Sequence, residues 1–188
     1  MEEEEVQLYL EDARERMNKA VDHLRDELMR VRAGKATPNI LDGIVVDYYG
    51  VKSPLNQVSN INTPDAKTIA IQPWEKNLIG DIEKAIMAAN LGLMPVNNGE
   101  LIRINIPPLT EERRRDLTKQ VRAEGENAKV SIRTARRDAN EYLKKMKKEG
   151  LEEDLEKDAE DEVQKLTDIY SKKVDELVQN KETEIMTV

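Results

Sequence analysis

The chain has 188 residues, 36% charged against 38% hydrophobic, with no Cys, no Phe and a single His. Without Cys there are no disulfides and no thiolate chemistry, which fits a reducing compartment, and one His argues against a catalytic zinc centre. Apolar runs such as Ile44-Val45-Val46 are a handful of residues and fall far short of the ~20 that span a bilayer. The acidic opening Met1-Glu2-Glu3-Glu4-Glu5 is no secretory signal. A cytoplasmic protein with no membrane partner, no cofactor and no metal is expected.

The first 33 residues predict one helix. Leu10, Met17, Leu24 and Val31 recur every seven, with Val6, Ala13 and Ala20 interleaved and Leu28 widening the stripe. The helix is expected to stop near Ala33-Gly34. Residues 34–106 change character. Ile44–Tyr49, Gln57–Asn62 and Thr68–Gln72 predict short strands, with Thr63-Pro64-Asp65 as a separator. Glu75–Leu91 predicts a helix with Gly92 as its C-cap, and Leu101–Ile106 a last strand. Helical periodicity returns at Thr110, a good N-cap with Glu111 and Glu112 in the first turn. Its seam is expected at Val121, Ala128, Ala135 and Tyr142, interleaved with Thr118, Gly125, Ile132, Ala139 and Met146. Gly125 costs about 1 kcal/mol against Ala, which suggests close packing or a slight bend. After Gly150 a third helix runs from about Glu152 to Thr183, along Leu155, Ala159, Val163, Leu166, Tyr170, Val174 and Leu177, with Ile169 and Val178 beside it.

Three long rods that cannot hide their own stripes imply a three-helix bundle. The fold class is therefore α+β. Residues 1–33 and 107–188 form a discontinuous bundle, and a small β/α/β domain of residues 34–106 is inserted in it. Both crossings are punctuated and lie at one end of the bundle. Ala33, Gly34, Lys35 and Pro38 lead out, and Pro107-Pro108 lead back, so a two-strand hinge at a corner is expected.

The net charge of −8 is unevenly spread. Arg113 to Lys148 holds 13 Lys and Arg against 5 Asp and Glu, while Glu149 to Val188 holds 5 against 14. Within the basic helix, Arg115, Arg122, Lys129 and Arg136 repeat every seven. Lys119, Arg133 and Lys147 fill the adjacent row, and Arg137 adjoins Arg136. These rows sit about 40–100° round the helix from the seam. Arg predominates, and its planar fork suits phosphate oxygens. The competing reading is a solvated face neutralised by the acidic third helix. With one Trp and five Tyr, platforms for stacking single-stranded bases are few. Contacts to phosphates and shape, as in structured RNA, are the better fit.

Other motifs carry less. His23 falls beside the first seam, as an ordinary surface residue. Ala33-Gly34-Lys35-Ala36-Thr37 lacks the upstream Gly and preceding strand of a phosphate loop. Tyr48-Tyr49 predicts cross-strand packing, and Trp74 a domain-core anchor. No constellation supports an enzyme.

Several blocks resemble the bacterial ribosome recycling factor family. They are Arg32-Ala33-Gly34-Lys35-Ala36-Thr37-Pro38 with Leu41 to Val46 and Tyr48-Tyr49-Gly50; Pro107 to Arg114 with Asp116-Leu117, then Arg133 and Arg136 to Asn140; and Asp161 to Asp168. Glu83 to Ala88 with Leu91-Gly92-Leu93 also match. The resemblance spans essentially the whole chain. It implies a monomeric, L-shaped protein whose bundle carries a hinged β/α/β domain and which is not itself an enzyme. It further implies that the protein binds the large ribosomal subunit after termination. With elongation factor G and GTP it would then help split the ribosome into subunits. The family's RNA contacts map onto Arg114, Arg133 and Arg136. With the stripe, the expected rRNA-binding set is Arg114, Arg115, Lys119, Arg122, Lys129, Arg133, Arg136 and Arg137. The acidic start departs from the family pattern and is not expected to touch RNA. The residues alone leave open a general structured-RNA-binding protein and a coiled-coil scaffold.

Overall fold

The computed structural model describes residues 2–187; Met1 and Val188, the outermost residues of the expected bundle, lie outside the described residues. In chain order the elements are α1 (Glu2–Arg30), β1 (Val45–Tyr48), β2 (Val51–Pro54), β3 (Ser59–Asp65), β4 (Thr68–Pro73), α2 (Ile79–Ala88), β5 (Pro95–Asn97), β6 (Ile102–Asn105), α3 (Glu111–Glu149) and α4 (Glu153–Met186). Two compact units result, Met1–Ala33 with Thr110–Val188, and Gly34–Leu109.

In the first unit α1, α3 and α4 pack on one another. The α1 core is Val6, Leu10, Ala13, Met17, Val21, Leu24 and Leu28, and that of α3 includes Leu117, Val121, Gly125, Ala128, Ile132, Ala135, Ala139, Leu143 and Met146. Two expected seam residues are displaced by a neighbour. Val21 is buried and Ala20 only half-buried; Leu143 is buried and Tyr142 exposed, stacking its ring on Tyr9 at 4.6 Å. A strict seven-residue repeat drifts about 20° per heptad against a straight helix. After two or three repeats the next residue takes the inward place. In α4, Ile169 is exposed, whereas Ile185 is fully buried beyond the expected end of the helix. Thr110 caps α3, its hydroxyl accepting from the Arg113 N–H at 3.1 Å. Gly150 closes that helix at φ +124.

The second unit is a four-stranded antiparallel sheet, order β3-β4-β6-β5, with a separate β1-β2 hairpin. Ile82 and Ile86 of α2 share its core with Ile69 and Ile71 of β4 and Ile102 and Ile104 of β6. Alternation along β4 and β6 puts these isoleucines on one face. The expected helix 75–91 is shorter, a 3-10 turn at Lys76–Leu78 followed by α2. It stops before Gly92, because Asn90 already takes a left-handed φ of +52. Thr63-Pro64-Asp65 does not separate strands but lies inside β3. A register shift between Asn62 and Asp65 accommodates the proline, which has no N–H for a ladder. Trp74 is 62% exposed rather than a core anchor, because Pro73 takes the last inward place of β4. Its indole N–H donates to Asn60.

The two crossings are tied within this unit. The Ala36 N–H donates to the Ala66 carbonyl at 2.8 Å and the Ile106 N–H to the Lys67 carbonyl at 2.7 Å. Both segments are thus fastened to the β3–β4 turn. Gly34, at φ +76, lies where a Cβ would come within 3.0 Å of Leu109 Cγ. The units part at Ala33/Gly34 and Leu109/Thr110. Pro107 and Pro108 belong to the small unit, as do Lys35 and Pro38, the latter opening a 3-10 turn.

Candidate nucleic-acid interface

The basic residues of α3 do not form one uniform face. Arg115 is exposed and paired with Glu111 one turn earlier. Arg122 Nε meets Glu182 of α4 at 2.6 Å, and Lys129 Nζ meets Asp175 of α4 at 2.6 Å. The hydrogen bond that Arg122 donates to Glu182 holds its guanidinium above its ordinary pKa. Lys147 is likewise raised, chiefly by its hydrogen bond with the buried Glu156. The acidic fourth helix therefore does neutralise part of the stripe, as the competing reading required.

The rest is held loosely or not at all. Arg133 is exposed, with Glu126 4.0 Å away, and Arg137 is exposed, 3.6 Å from Asp138. That carboxylate is already committed to Arg16 of α1 at 2.8 Å. Among the described residues no carboxylate lies within ion-pair distance of the exposed Lys119 or the half-buried Arg136. Arg114 differs from the others. It lies one turn before the buried Leu117, and its Nε is buried without a hydrogen-bond partner, as is the Thr118 hydroxyl.

Of the exposed α3 cations outside the expected set, Arg113, Lys144, Lys145 and Lys148, it is Lys144 that continues the stripe. It lies seven residues after Arg137 and extends the row toward the C-terminal end of α3. The signal was present, since the repeat that gave Arg136 from Lys129 also gives Lys144 from Arg137.

Gly125 explains how α3 and α4 come close enough to exchange ion pairs. A Cβ there would sit 2.6 Å from Val178 Cγ2. Gly125 lies between Arg122 and Lys129 in sequence, and Val178 between Asp175 and Glu182. The missing side chain sits midway between the two bridges. Of bend and close packing, the structure gives close packing.

Together these features define a class: a three-helix bundle with a partly neutralised cationic helix, interrupted by a small α+β unit. The family model for ribosome recycling factor matches residues 24–186. The ribosome-recycling factor of Porphyromonas gingivalis is 58% identical over 185 residues, covering 98% of this chain and all of that one. That of Flavobacterium johnsoniae is 56% identical, covering 98% and 99%. A solution structure of a ribosome recycling factor aligns with a TM-score of 0.76 at 39% identity, over 98% of both chains. A second structure aligns at TM-score 0.62 and 44% identity, over 97% of this chain and 99% of that one. It models the T. thermophilus ribosome recycling factor and the E. coli elongation factor G bound to the E. coli post-termination complex. The chain belongs to the ribosome recycling factor family.

Among the described residues no helix is long and apolar enough to cross a membrane.

Proposed function

We propose that this chain docks on the large ribosomal subunit after termination and, with elongation factor G and GTP, splits the ribosome into subunits. It acts as a monomer in the cytoplasm and performs no catalysis itself; GTP is hydrolysed on the elongation factor. The observation that carries the docking reading is the uneven commitment of the α3 cations. Among the described residues Lys119 and Arg136 have no carboxylate within ion-pair distance, and Arg133 and Arg137 have only loose pairs, at 4.0 and 3.6 Å. Cations left unneutralised on a protein of net charge −8 are suited to an anionic partner. Few exposed aromatics accompany them, which favours phosphate and shape over base stacking. The small unit moves relative to the docked bundle about the two places where the units part. Gly34 supplies one pivot, since its left-handed backbone is open to glycine and resisted by other residues.

Replacing Arg136 with Ala tests the docking face. Its guanidinium makes no ion pair among the described residues, so the bundle should stay folded. A charge-assisted phosphate contact contributes about 1.5–3 kcal/mol, so affinity for isolated large subunits should fall by roughly 10- to 150-fold. Binding should weaken steeply with salt as counterions are released. An unchanged Kd with the variant folded would remove α3 from the interface.

A further inference from the structure

We propose that Asp175 and Glu182 of α4 set the strength and salt dependence of docking by holding Lys129 and Arg122. A phosphate gains either cation only by displacing a carboxylate. The inference rests on the reading of α3 as the RNA-facing helix.

The register of the antiparallel pair supports it. Arg122 faces Glu182 and Lys129 faces Asp175, so each step of seven up α3 matches a step of seven down α4. The two bridges lie two turns apart, about 10.5 Å along the axis. The Gly125–Val178 approach fixes the helix spacing between them. Each bridge has one covered and one open partner. Glu182 is 18% exposed against 68% for Arg122, and Lys129 is 28% exposed against 64% for Asp175. An incoming phosphate can therefore reach the open Arg122 directly, and can reach Lys129 once the exposed Asp175 swings into water. Neither exchange requires unfolding.

Exposed ion pairs contribute little to stability, typically about 0.2–1 kcal/mol each, so the exchange is feasible. The same small energy, subtracted from each new phosphate contact, lowers affinity without removing the cation. The α3 cations thus fall into two sets. Lys119, Arg133, Arg136 and Arg137 are available at once, whereas Arg122 and Lys129 are available at a cost that α4 sets. Release is eased in the same way, because a departing phosphate is replaced by a tethered carboxylate.

The test compares full-length variants in equilibrium binding to isolated large ribosomal subunits over a range of salt concentrations. Asp175→Asn with Glu182→Gln frees both cations. A control pair, Glu176→Gln with Asp161→Asn, removes the same charge from exposed α4 positions that, among the described residues, pair with no α3 cation. The first pair is expected to bind about 2- to 25-fold more tightly, the sum of two exposed bridges. It should also show a steeper salt dependence, because more counterions are released per complex. The control pair should change affinity less than twofold. Adding Lys129→Gln should abolish the share of the gain due to Asp175→Asn. No tightening, or equal tightening by the control pair, overturns the inference. Arg136→Ala runs alongside. If it weakens binding while the first pair fails to tighten it, only this inference falls. If it leaves binding unchanged, the docking reading falls and takes the inference with it.

Discussion

Gly125→Ala is a substitution for which two general effects oppose each other and the structure decides the sign. Alanine is the better helix former by about 1 kcal/mol, so on propensity alone the variant gains stability. Its methyl, however, would lie 2.6 Å from Val178 Cγ2, with Val174 Cγ1 at 3.9 Å. Ordinary carbon–carbon contact begins near about 3.5 Å, so roughly 1 Å must be found. Val178 cannot supply it cheaply, because a helical valine has essentially one χ1 rotamer. Overpacking of this kind costs about 1–3 kcal/mol. The net expectation is a loss of up to about 2 kcal/mol, with α4 pushed away from Arg122 and Lys129. Val178→Ala removes the obstacle, and Gly125→Ala introduced into that background should then stabilise by about 1 kcal/mol. The coupling between the two sites is thus about 1–3 kcal/mol. Urea unfolding followed by helix circular dichroism measures it. The single Trp is unsuitable, because Trp74 belongs to the other unit. If Gly125→Ala alone stabilises the wild-type background by the full propensity difference, the close approach of α3 and α4 is wrong.

Three further outcomes are expected. A hydrogen bond from Arg16, aided by the Arg137 charge, holds the Asp138 carboxyl below its ordinary pKa. Its stabilising contribution is therefore complete above the unfolded-state value of about 4 and is lost as pH falls through the depressed folded value. Thermal midpoints should drop less on acidification in Asp138→Asn than in wild type, and identical acid profiles would remove this bridge from the account. Gly34→Ala forces a side chain into a left-handed backbone and against Leu109. It should destabilise the small unit by about 1–2 kcal/mol, read by Trp74 fluorescence in urea, and an unchanged midpoint would contradict the strain. The wild type has no Cys, so a single engineered disulfide can tie the small unit to the bundle. The tied protein should still bind large subunits but fail to split ribosomes until reduced; splitting at the normal rate would show that relative motion of the units is not required.

Long helices were legible because their apolar stripes run for many turns, and the Thr110 cap and Gly150 stop are short-range chemistry. What periodicity could not place was the drift of the stripe. Ala20 and Tyr142 satisfied the seven-residue count, but Val21 and Leu143 are the buried residues. β2 and β5 went unseen because each contains a proline and neither alternates: Val51–Pro54 has one apolar residue before its proline, and Pro95–Asn97 is only three residues long. At the candidate interface, spacing located the cations along α3 but could not say which carboxylate faces which. That depends on the register of α4, fixed by packing at Gly125 and Val178. The burial of Arg114 Nε was hidden for the same reason, since a long cation near the seam reads like its exposed neighbours.

The central claim is that this chain, docked through α3, splits post-termination ribosomes together with elongation factor G and GTP. Light scattering of purified post-termination ribosomes tests it most directly. Scattering should fall as subunits separate only when the chain, elongation factor G and GTP are all present. At a fixed subsaturating concentration, Arg136→Ala should slow the fall at least tenfold, in step with its loss of binding. No fall with all three components present and the chain bound to large subunits would contradict the account.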